Sequence, residues 1–537
     1  MTSQRLCERR QNALLTVFAL LTAALLLFFC SKCSPLYPLN DWPDANVFLS
    51  AGKGMVEGRV MYRDLYDHKG PLLFALHALC ALISPDGFFG VWLMEIVFLA
   101  AFLMIAHKLI ALYAGDRPAL WALPLIALML LTSVSFQMGD SAEELALPMM
   151  LYPVYRLMVS LRREEGRTTR WQLGVTGFLL GCVFWLKFTL VGIPAAVCLM
   201  LAWLGLRRDG LTGALKDIGW MLLGFAVSTL PWLIQYILQD ALLPMLKTYL
   251  YDNLFLYAGA EEPLTLFGQL KAILKSILSW LRDNPGYTLP LLCGGLMMLL
   301  SKQHRATEKI SWCLCAVFGL ITVFFGGRYY LYYGFALGAL LPLFFCALGG
   351  LMQGRRVKCR ADEAAVPAGA AVGAPDRQAD AVNPVRAAPA CASGRKAIAV
   401  FAAILVLTTA LSPFLSPNRP LDQPKCDQLM QYRFAEIINR YEDPTLLNYG
   451  FLDWGFYTAA GVAPHLKYYH LANMPLDELH SEQDRYVREG LSDFVVTRAP
   501  LREDLAGLYT LADTCPAPDG LWFTDVYLYR LSALEER

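Results

Sequence analysis

Charge is what this chain has least of. Only 17% of its residues are Asp, Glu, Lys or Arg, against 56% that are hydrophobic, and the formal net charge is +1. A balance so near zero excludes bulk attraction to nucleic acid, and there is no basic stripe with interleaved aromatics of the kind that binds single strands. The signatures of common soluble enzymes are missing as well: no P-loop, no Rossmann glycine fingerprint, no G-x-S-x-G and no H-E-x-x-H. No internal repeat is detectable. The 14 cysteines are scattered, mostly inside apolar runs, where cysteine acts as a small hydrophobe. Cys30 and Cys33 form one C-x-x-C without the second ligand pair that a zinc site needs. Cys426 and Cys515 share the C-terminal region and are candidates for pairing only if that region faces an oxidising compartment.

What is abundant is long apolar sequence. A mean hydropathy of +0.42 over 537 residues indicates an integral membrane protein. The first 30 residues carry the basic flank and apolar run of a signal peptide, but Phe28, Phe29 and Cys30 stand where a cleavage site needs small residues. The segment therefore reads as a retained first helix. Runs able to span lie near residues 13–30, 88–106, 119–136, 145–160, 172–189, 191–206, 218–238, 287–301, 310–326, 330–350 and 397–414. Residues 71–84, PLLFALHALCALIS, are apolar but short of the roughly 20 residues a crossing requires.

Basic residues decide whether that short segment crosses, because Lys and Arg near helix ends favour the cytoplasm. If it lies on the outer surface, the groups Arg5/Arg9/Arg10, Lys108/Arg117, Arg162/Arg163/Arg167/Arg170, Arg207/Arg208/Lys216, Lys302/Arg305/Lys309 and Arg355/Arg356/Lys358/Arg360 all fall inside. If it crossed, every later group would flip outward. The expected fold is therefore a polytopic α-helical membrane protein of about eleven transmembrane helices, with interfacial helices in the first outer loop and a cytoplasmic N-terminus. Residues 353–395, rich in Ala, Pro and Gly, read as a disordered cytoplasmic linker. Beyond residue 415, strand-like SDFVVTR and WFTDVYLYR alternate with helix-like CDQLMQYRFAEIINRY, which predicts a small extracytoplasmic α/β domain.

This topology gathers ionisable residues on the outer face. The first outer loop holds Asp41, Asp44, Arg63, Asp64 and the stretch YRDLYDHKGP, with Asp67, His68 and Lys69. Asp44 follows Pro43 ahead of an apolar-periodic run, so it serves either as a helix cap or as a reactive carboxylate. His68 alone is more often a satisfied interfacial histidine than a ligand, and with Asp67 its alternative role is that of an ion ligand. Gly70 and Pro71 suit a turn into a helix. In the second outer turn, GDSAEE, Ser141 and Glu144 have capping-box spacing, which leaves Asp140 and Glu143 as candidates for an acceptor or metal site. Lys187, near the outer end of an apolar run, either snorkels or binds a lipid phosphate. In GGRYYLYY the tyrosines suit an aromatic belt, and Arg328 is a candidate phosphate ligand.

These residues in this order resemble the GT-C glycosyltransferases, in particular the bacterial branch that includes relatives of protein O-mannosyltransferases and lipid A aminoarabinose transferase. The resemblance covers roughly residues 10–415 in architecture, although its motifs are short. It implies a bacterial plasma-membrane glycosyltransferase that moves a hexose or pentose, with inversion, from a polyprenyl-phosphate donor to a glycan, lipid or protein acceptor on the outer face. By that resemblance Asp44 matches the catalytic acid of the first loop. Many relatives carry an adjacent acidic pair there, whereas here Ala45 and Asn46 follow Asp44 and the second acid, Asp41, lies three residues earlier. Lys69, Arg328 and Lys187 are then the groups for the donor phosphate. Asp140, Glu143, Asp67 and His68 are acceptor-site or metal candidates, with a divalent ion at Asp67, His68 and Asp140. The implied division is a transmembrane catalytic region over 1–352, the linker over 353–395, a last transmembrane helix over 396–414 and the outer domain over 415–537. A polar-lipid transporter or flippase is the rival reading, although transporters commonly show repeats and mid-membrane sites; a non-catalytic envelope scaffold is a third.

Overall fold

The computed structural model describes residues 2–162, 168–257, 265–352, 394–517 and 524–534. Helix α1 (Thr2–Cys30) is followed by α2 (Pro43–Val56) and α3 (Pro71–Ile83) in the first loop. The bundle continues through α4 (Phe89–Ala114), α5 (Asp116–Leu131), α6 (Ala142–Arg162), α7 (Arg170–Leu186) and α8 (Gly192–Leu238). A short α9 (Leu242–Leu246) runs into a π-helical segment, Lys247–Tyr257, and then come α10 (Leu266–Asp283), α11 (Pro285–Leu300) and α12 (Ala306–Val323). A 3₁₀ segment, Leu331–Leu340, leads into α13 (342–352), and α14 (Gly394–Leu415) follows.

Helix thus occupies each of the eleven apolar runs. Among the described residues, six helices are long and apolar enough to cross a membrane: Arg9–Cys30, Phe89–Ala114, Gly192–Leu238, Ala306–Val323, Leu331–Met352 and Arg395–Leu415. The runs at 191–206 and 218–238 join in α8, which breaks at Asp209 and at Gly210, where φ is +67°. Helix α6 is long enough but carries Glu143, Glu144, Arg156 and Arg162. Helix α3, at 13 residues, reaches only about 20 Å and is too short to cross a hydrocarbon core of about 30 Å. Helix α10 is amphipathic, exposing Phe267, Leu270, Leu274 and Leu278 along one stripe, the pattern of a helix lying in an interface. The linker expected over 353–395 falls outside the described residues as far as residue 393.

Past residue 415 lie α15 (Met430–Ile438), β1 (Leu446–Asn448), α16 (Phe456–Ala460), α17 (Asp477–Arg488), β2 (Phe494–Thr497), α18 (Glu503–Ala506), β3 (Tyr509–Pro516) and β4 (Asp525–Leu531). The strands form one mixed sheet in the order β1-β2-β4-β3, parallel between β1 and β2 and antiparallel elsewhere. Val495 and Val496 on β2 are fully buried, one on each face, as a central strand covered on both sides requires. Cys426 and Cys515 are both free thiols, the first exposed and the second buried.

This C-terminal unit grips α2. Ser50 Oγ donates to Asp453 at 2.8 Å, Thr458 Oγ1 donates to Asn46 Oδ1 at 3.2 Å, and the Tyr469 hydroxyl donates to the Val47 carbonyl at 3.1 Å. On its other side α2 packs on α3 so closely that a Cβ at Gly52 would lie 2.6 Å from the His77 carbonyl.

Helices α7 and α8 pack with their backbones in near contact. A Cβ at Gly177 would lie 1.8 Å from the Met221 carbonyl oxygen, and one at Gly224 would lie 1.9 Å from that of Gly174. Backbone cannot yield as a side chain can, so Gly177→Ala and Gly224→Ala should each destabilise the protein by about 1–3 kcal/mol. Gly219→Ala, whose Cβ meets nothing within 4 Å, is the control. Thermal unfolding in detergent should show lower midpoints for the first two only.

Candidate active site

The turn from α2 to α3 is built by its own side chains. Tyr62 takes φ +72° in full burial, and its hydroxyl donates to the Lys69 carbonyl at 2.8 Å. Asp67 Oδ1 accepts the Lys69 N–H at 2.9 Å, and Asn253 Nδ2 donates to the His68 carbonyl at 2.7 Å. Gly70 is obligatory, because a Cβ there would lie 2.0 Å from the Trp185 carbonyl oxygen. Pro71 occupies the first turn of α3 as its spacing predicts. The result aims Lys69 inward, its ammonium 3.3 Å from His68 Nε2 and 5.7 Å from the centre of the Phe48 ring.

Lys187 lies at the end of α7, where the backbone leaves the helix. It forms a buried ion pair with Glu143 at 2.5 Å and stands over the rings of Tyr333 and Tyr332, 4.2 and 5.1 Å from their centres. Lys69, Lys187 and Arg328, distant in sequence, line one cavity of about 100 Å³ together with His68, Tyr249, Asn253 and Tyr333. Among the described residues no carboxylate lines it, and Phe188, Leu254, Val323 and Phe325 supply apolar wall. Three cations beside apolar surface suit a phosphate that carries a hydrocarbon chain.

Asp44 is one residue away from that cavity. The Tyr332 hydroxyl donates to Asp44 Oδ2 at 3.1 Å, and Tyr332, held edge-on by Trp42, is the neighbour of the cavity-lining Tyr333. The N-cap of α2 is Trp42, with Pro43 and Asp44 in the first turn, so Asp44 does not cap the helix. Among the described residues its carboxylate has the Tyr332 hydroxyl as its one hydrogen-bond partner.

Other expected residues are placed elsewhere. Asp41 pairs with Lys32 at 2.6 Å, is half exposed and lines a different cavity. Arg63 is exposed, bound to Asp64 and to the Gln239 carbonyl. Asp140, at φ +66°, directs both carboxylate oxygens to His77 Nε2 at 2.9 and 3.0 Å, with neither group exposed. With His77 Nδ1 facing the Leu73 carbonyl at 2.8 Å and Nε2 facing Asp140, an imidazolium here would donate at both nitrogens. Burial opposes that charge, but Asp140 outweighs it and holds the His77 pKa above its usual value. The capping box is shifted by one residue: Ser141 Oγ accepts the Glu144 N–H, whereas the Glu144 carboxylate accepts from Asp140 N instead of from Ser141. The ion site expected at Asp67, His68 and Asp140 does not assemble, since Asp140 is taken by His77 and Asp67 by the Lys69 amide. Among the described residues no three His, Cys, Asp or Glu side chains are grouped to hold a metal.

Three contributors escaped the sequence reading. Glu95, fully buried in α4, accepts from Asp140 N at 3.0 Å and from Ser31 Oγ at 2.7 Å; an acid inside an apolar run was the signal for it. Tyr332 had been assigned to the aromatic belt. His470, in the loop after α16, is 1% exposed, and among the described residues no well-aligned hydrogen bond reaches either ring nitrogen. Burial lowers its pKa, with Asp67 and Asp453 pulling the other way. Asp67 in turn, despite burial, is held below its ordinary value, chiefly by the Lys69 charge.

This helical bundle, whose first loop lays two short helices beside a cationic cavity, has the fold of ArnT. The crystal structure of ArnT from Cupriavidus metallidurans bound to undecaprenyl phosphate superposes with a TM-score of 0.57, at 14% identity, over 98% of this chain and 99% of that one. The same protein in the apo state gives 0.54, at 14% identity, over 97% and 98%. An oligosaccharyltransferase of Archaeoglobus fulgidus, solved with zinc and sulfate, gives 0.44, at 12% identity, over 89% and 67%. No family model and no curated protein sequence matches the chain.

Buried neutral histidines make stability depend on pH. Burial, with the Lys69 charge, pushes His68 down to about 3, and His470 is lowered too. The unfolded chain binds a proton at each near pH 6.5 while the native protein does not, so their contribution is complete above that pH and is lost as pH falls below it. His77, with its raised pKa, acts in the opposite sense. Unfolding measured from about pH 7.5 to about pH 5 should show falling stability, and His470→Gln should flatten the slope by up to about 1.4 kcal/mol per pH unit. An unchanged slope would show that His470 is not kept neutral.

Proposed function

We propose that this chain is a multi-pass glycosyltransferase of the bacterial plasma membrane, transferring a sugar from a polyprenyl-phosphate donor to an envelope acceptor on the outer face. The observation that carries the reading is the convergence of Lys69, Lys187 and Arg328 on one partly apolar cavity, with Asp44 tied to its edge through Tyr332. Outside the cytoplasm there is no nucleotide-sugar pool, so a donor must arrive already attached to a lipid. Support comes also from the ArnT fold, solved with undecaprenyl phosphate. In this reading all eleven apolar helical runs belong to the membrane, the N-terminus is cytoplasmic, and residues 415–537 form a domain on the outer face.

The chemistry follows from the placement. Asp44 takes the proton of the acceptor hydroxyl as that oxygen bonds to the anomeric carbon. The bond from that carbon to the phosphate oxygen breaks on the opposite side, which inverts the configuration. Lys69 and Arg328 take up the charge that grows on the departing phosphate. Lys187, already paired with Glu143, adds its field and fixes the Tyr332–Tyr333 pair.

Two tests distinguish these roles. Asp44→Asn should lower sugar transfer by about 10²- to 10⁴-fold while undecaprenyl phosphate still binds, and Lys69→Ala should weaken that binding. Full transfer by Asp44→Asn would remove Asp44 as the base; binding and translocation of polyprenyl-phosphate sugars without transfer by the wild type would make the protein a transporter. Separately, Lys187→Met leaves Glu143 buried and uncompensated, at a cost of about 3–5 kcal/mol. Thermal unfolding should show that Glu143→Gln in the same chain restores much of the loss.

A further inference from the structure

A second cavity, of about 580 Å³, opens at the start of α2 and shares no lining residue with the cationic one. Asp41 and Pro43 line it from the first loop, and the rest of its wall comes from the C-terminal region, including Asp427, Gln431 and Trp454. Asp44 lines neither cavity but is linked to both. Its neighbour Pro43 lines the second, and its hydrogen-bond partner Tyr332 adjoins Tyr333, which lines the first.

We infer that this second cavity is the acceptor subsite and that it takes a hydroxyl-rich glycan; the inference rests on the glycosyltransferase reading above. Displacement at an anomeric carbon requires the incoming oxygen to approach from the side opposite the leaving phosphate. A donor phosphate among Lys69, Lys187 and Arg328 therefore demands an acceptor entry on the other side of the base, and the second cavity is where the structure offers one. Its size lies within the range of small-molecule sites. Its chemistry is that of a polyol binder: carboxylates at Asp41 and Asp427 and the Gln431 amide to bond hydroxyls, and the Trp454 ring to cover the apolar face of a sugar. Gln431 is buried at 5% exposure and its amide nitrogen donates to the Trp454 carbonyl at 3.0 Å, which ties the polar and aromatic parts together. Leu429, Met430, Pro516 and Ala517 add apolar wall, but the carboxylates of Asp41 and Asp427 stand among them, which suits a glycan with an apolar face better than an acyl chain.

The test uses the full chain in detergent or nanodiscs, with a radiolabelled polyprenyl-phosphate sugar as donor and oligosaccharides released from envelope glycans as acceptors. Asp427 is exposed, so Asp427→Trp fills the cavity mouth without disturbing the core. It should raise the acceptor KM at least tenfold while undecaprenyl phosphate binding stays as in the wild type. Trp454→Ala should do the same and Trp454→Phe should recover most of the affinity, which a merely structural tryptophan would not predict. An unchanged acceptor KM in Asp427→Trp, with the wild type active, overturns the acceptor assignment alone. The same holds if Lys467→Glu raises KM instead, since Lys467 lines a separate cavity of about 750 Å³ beside Tyr66 and Tyr468. Absence of transfer from every polyprenyl-phosphate sugar by the wild type overturns the glycosyltransferase reading, and this one with it.

Discussion

Helix α2 is gripped on both faces, and the rest of the site depends on that constraint. Gly52 lets it lie against the backbone of α3, while Asn46, Ser50 and the Val47 carbonyl bind the C-terminal unit. An isolated 14-residue helix is marginal in water, so its position is set by these neighbours and not by its own propensity. Asp44 at its first turn inherits that position, and so does the spacing between Asp44 and the lysine at the end of the next loop. The buried Asp453 that receives Ser50 is itself held by Asn448 and by the amides of Gly455 and Phe456. The C-terminal unit therefore carries polar order down to the carboxylate next to the cationic cavity.

A second layer of constraint lies beneath the site. Asp140 occupies a left-handed conformation, which costs about 1–3 kcal/mol at a non-glycine residue. Its surroundings hold it there: His77 binds the side chain, and Glu95 and Glu144 both accept from its amide. A Cβ at the preceding Gly139 would lie 2.4 Å from Glu95, so even the approach to this turn is shaped by the acid it meets. Buried charges of this kind are a poor source of net stability. They do fix the relation of α3, α4 and α6 to one another, which a contact between apolar faces alone would leave free to slide.

How much of this could be read from the chain depended on range. The apolar runs, the short α3, the Gly-Pro turn and the gathering of charge in the first loop follow from composition and local spacing, because hydrocarbon thickness and loop charge act on contiguous segments. Lys69, Lys187 and Arg328 were identifiable singly as cations at membrane boundaries, but their meeting in one cavity is a tertiary fact. Partner choice was the least legible. Nothing near Asp140 in sequence announces that His77, 63 residues earlier, takes both its oxygens, and nothing near Asp41 distinguishes it from Asp44 except that Lys32 happens to reach it. Asp44 was readable as a cap because Pro43 marks a helix start. The structure moves the cap to Trp42, and the carboxylate is released for Tyr332.

That release explains why Tyr332 matters more than an interfacial tyrosine ordinarily would. It touches Asp44 with its hydroxyl, Trp42 with its ring edge, and Lys187 through its face. One side chain thus connects the carboxylate at the start of α2, the ion pair between α6 and the end of α7, and the aromatic segment that also brings Arg328. The cation at Lys187 polarises the ring from one side while the carboxylate accepts from the hydroxyl, so the two charges are coupled through a group that bears none. A carboxylate held by a single neutral donor keeps most of its lone pairs free. Direct pairing with a lysine would quench it, and the structure avoids that by giving Lys187 to Glu143.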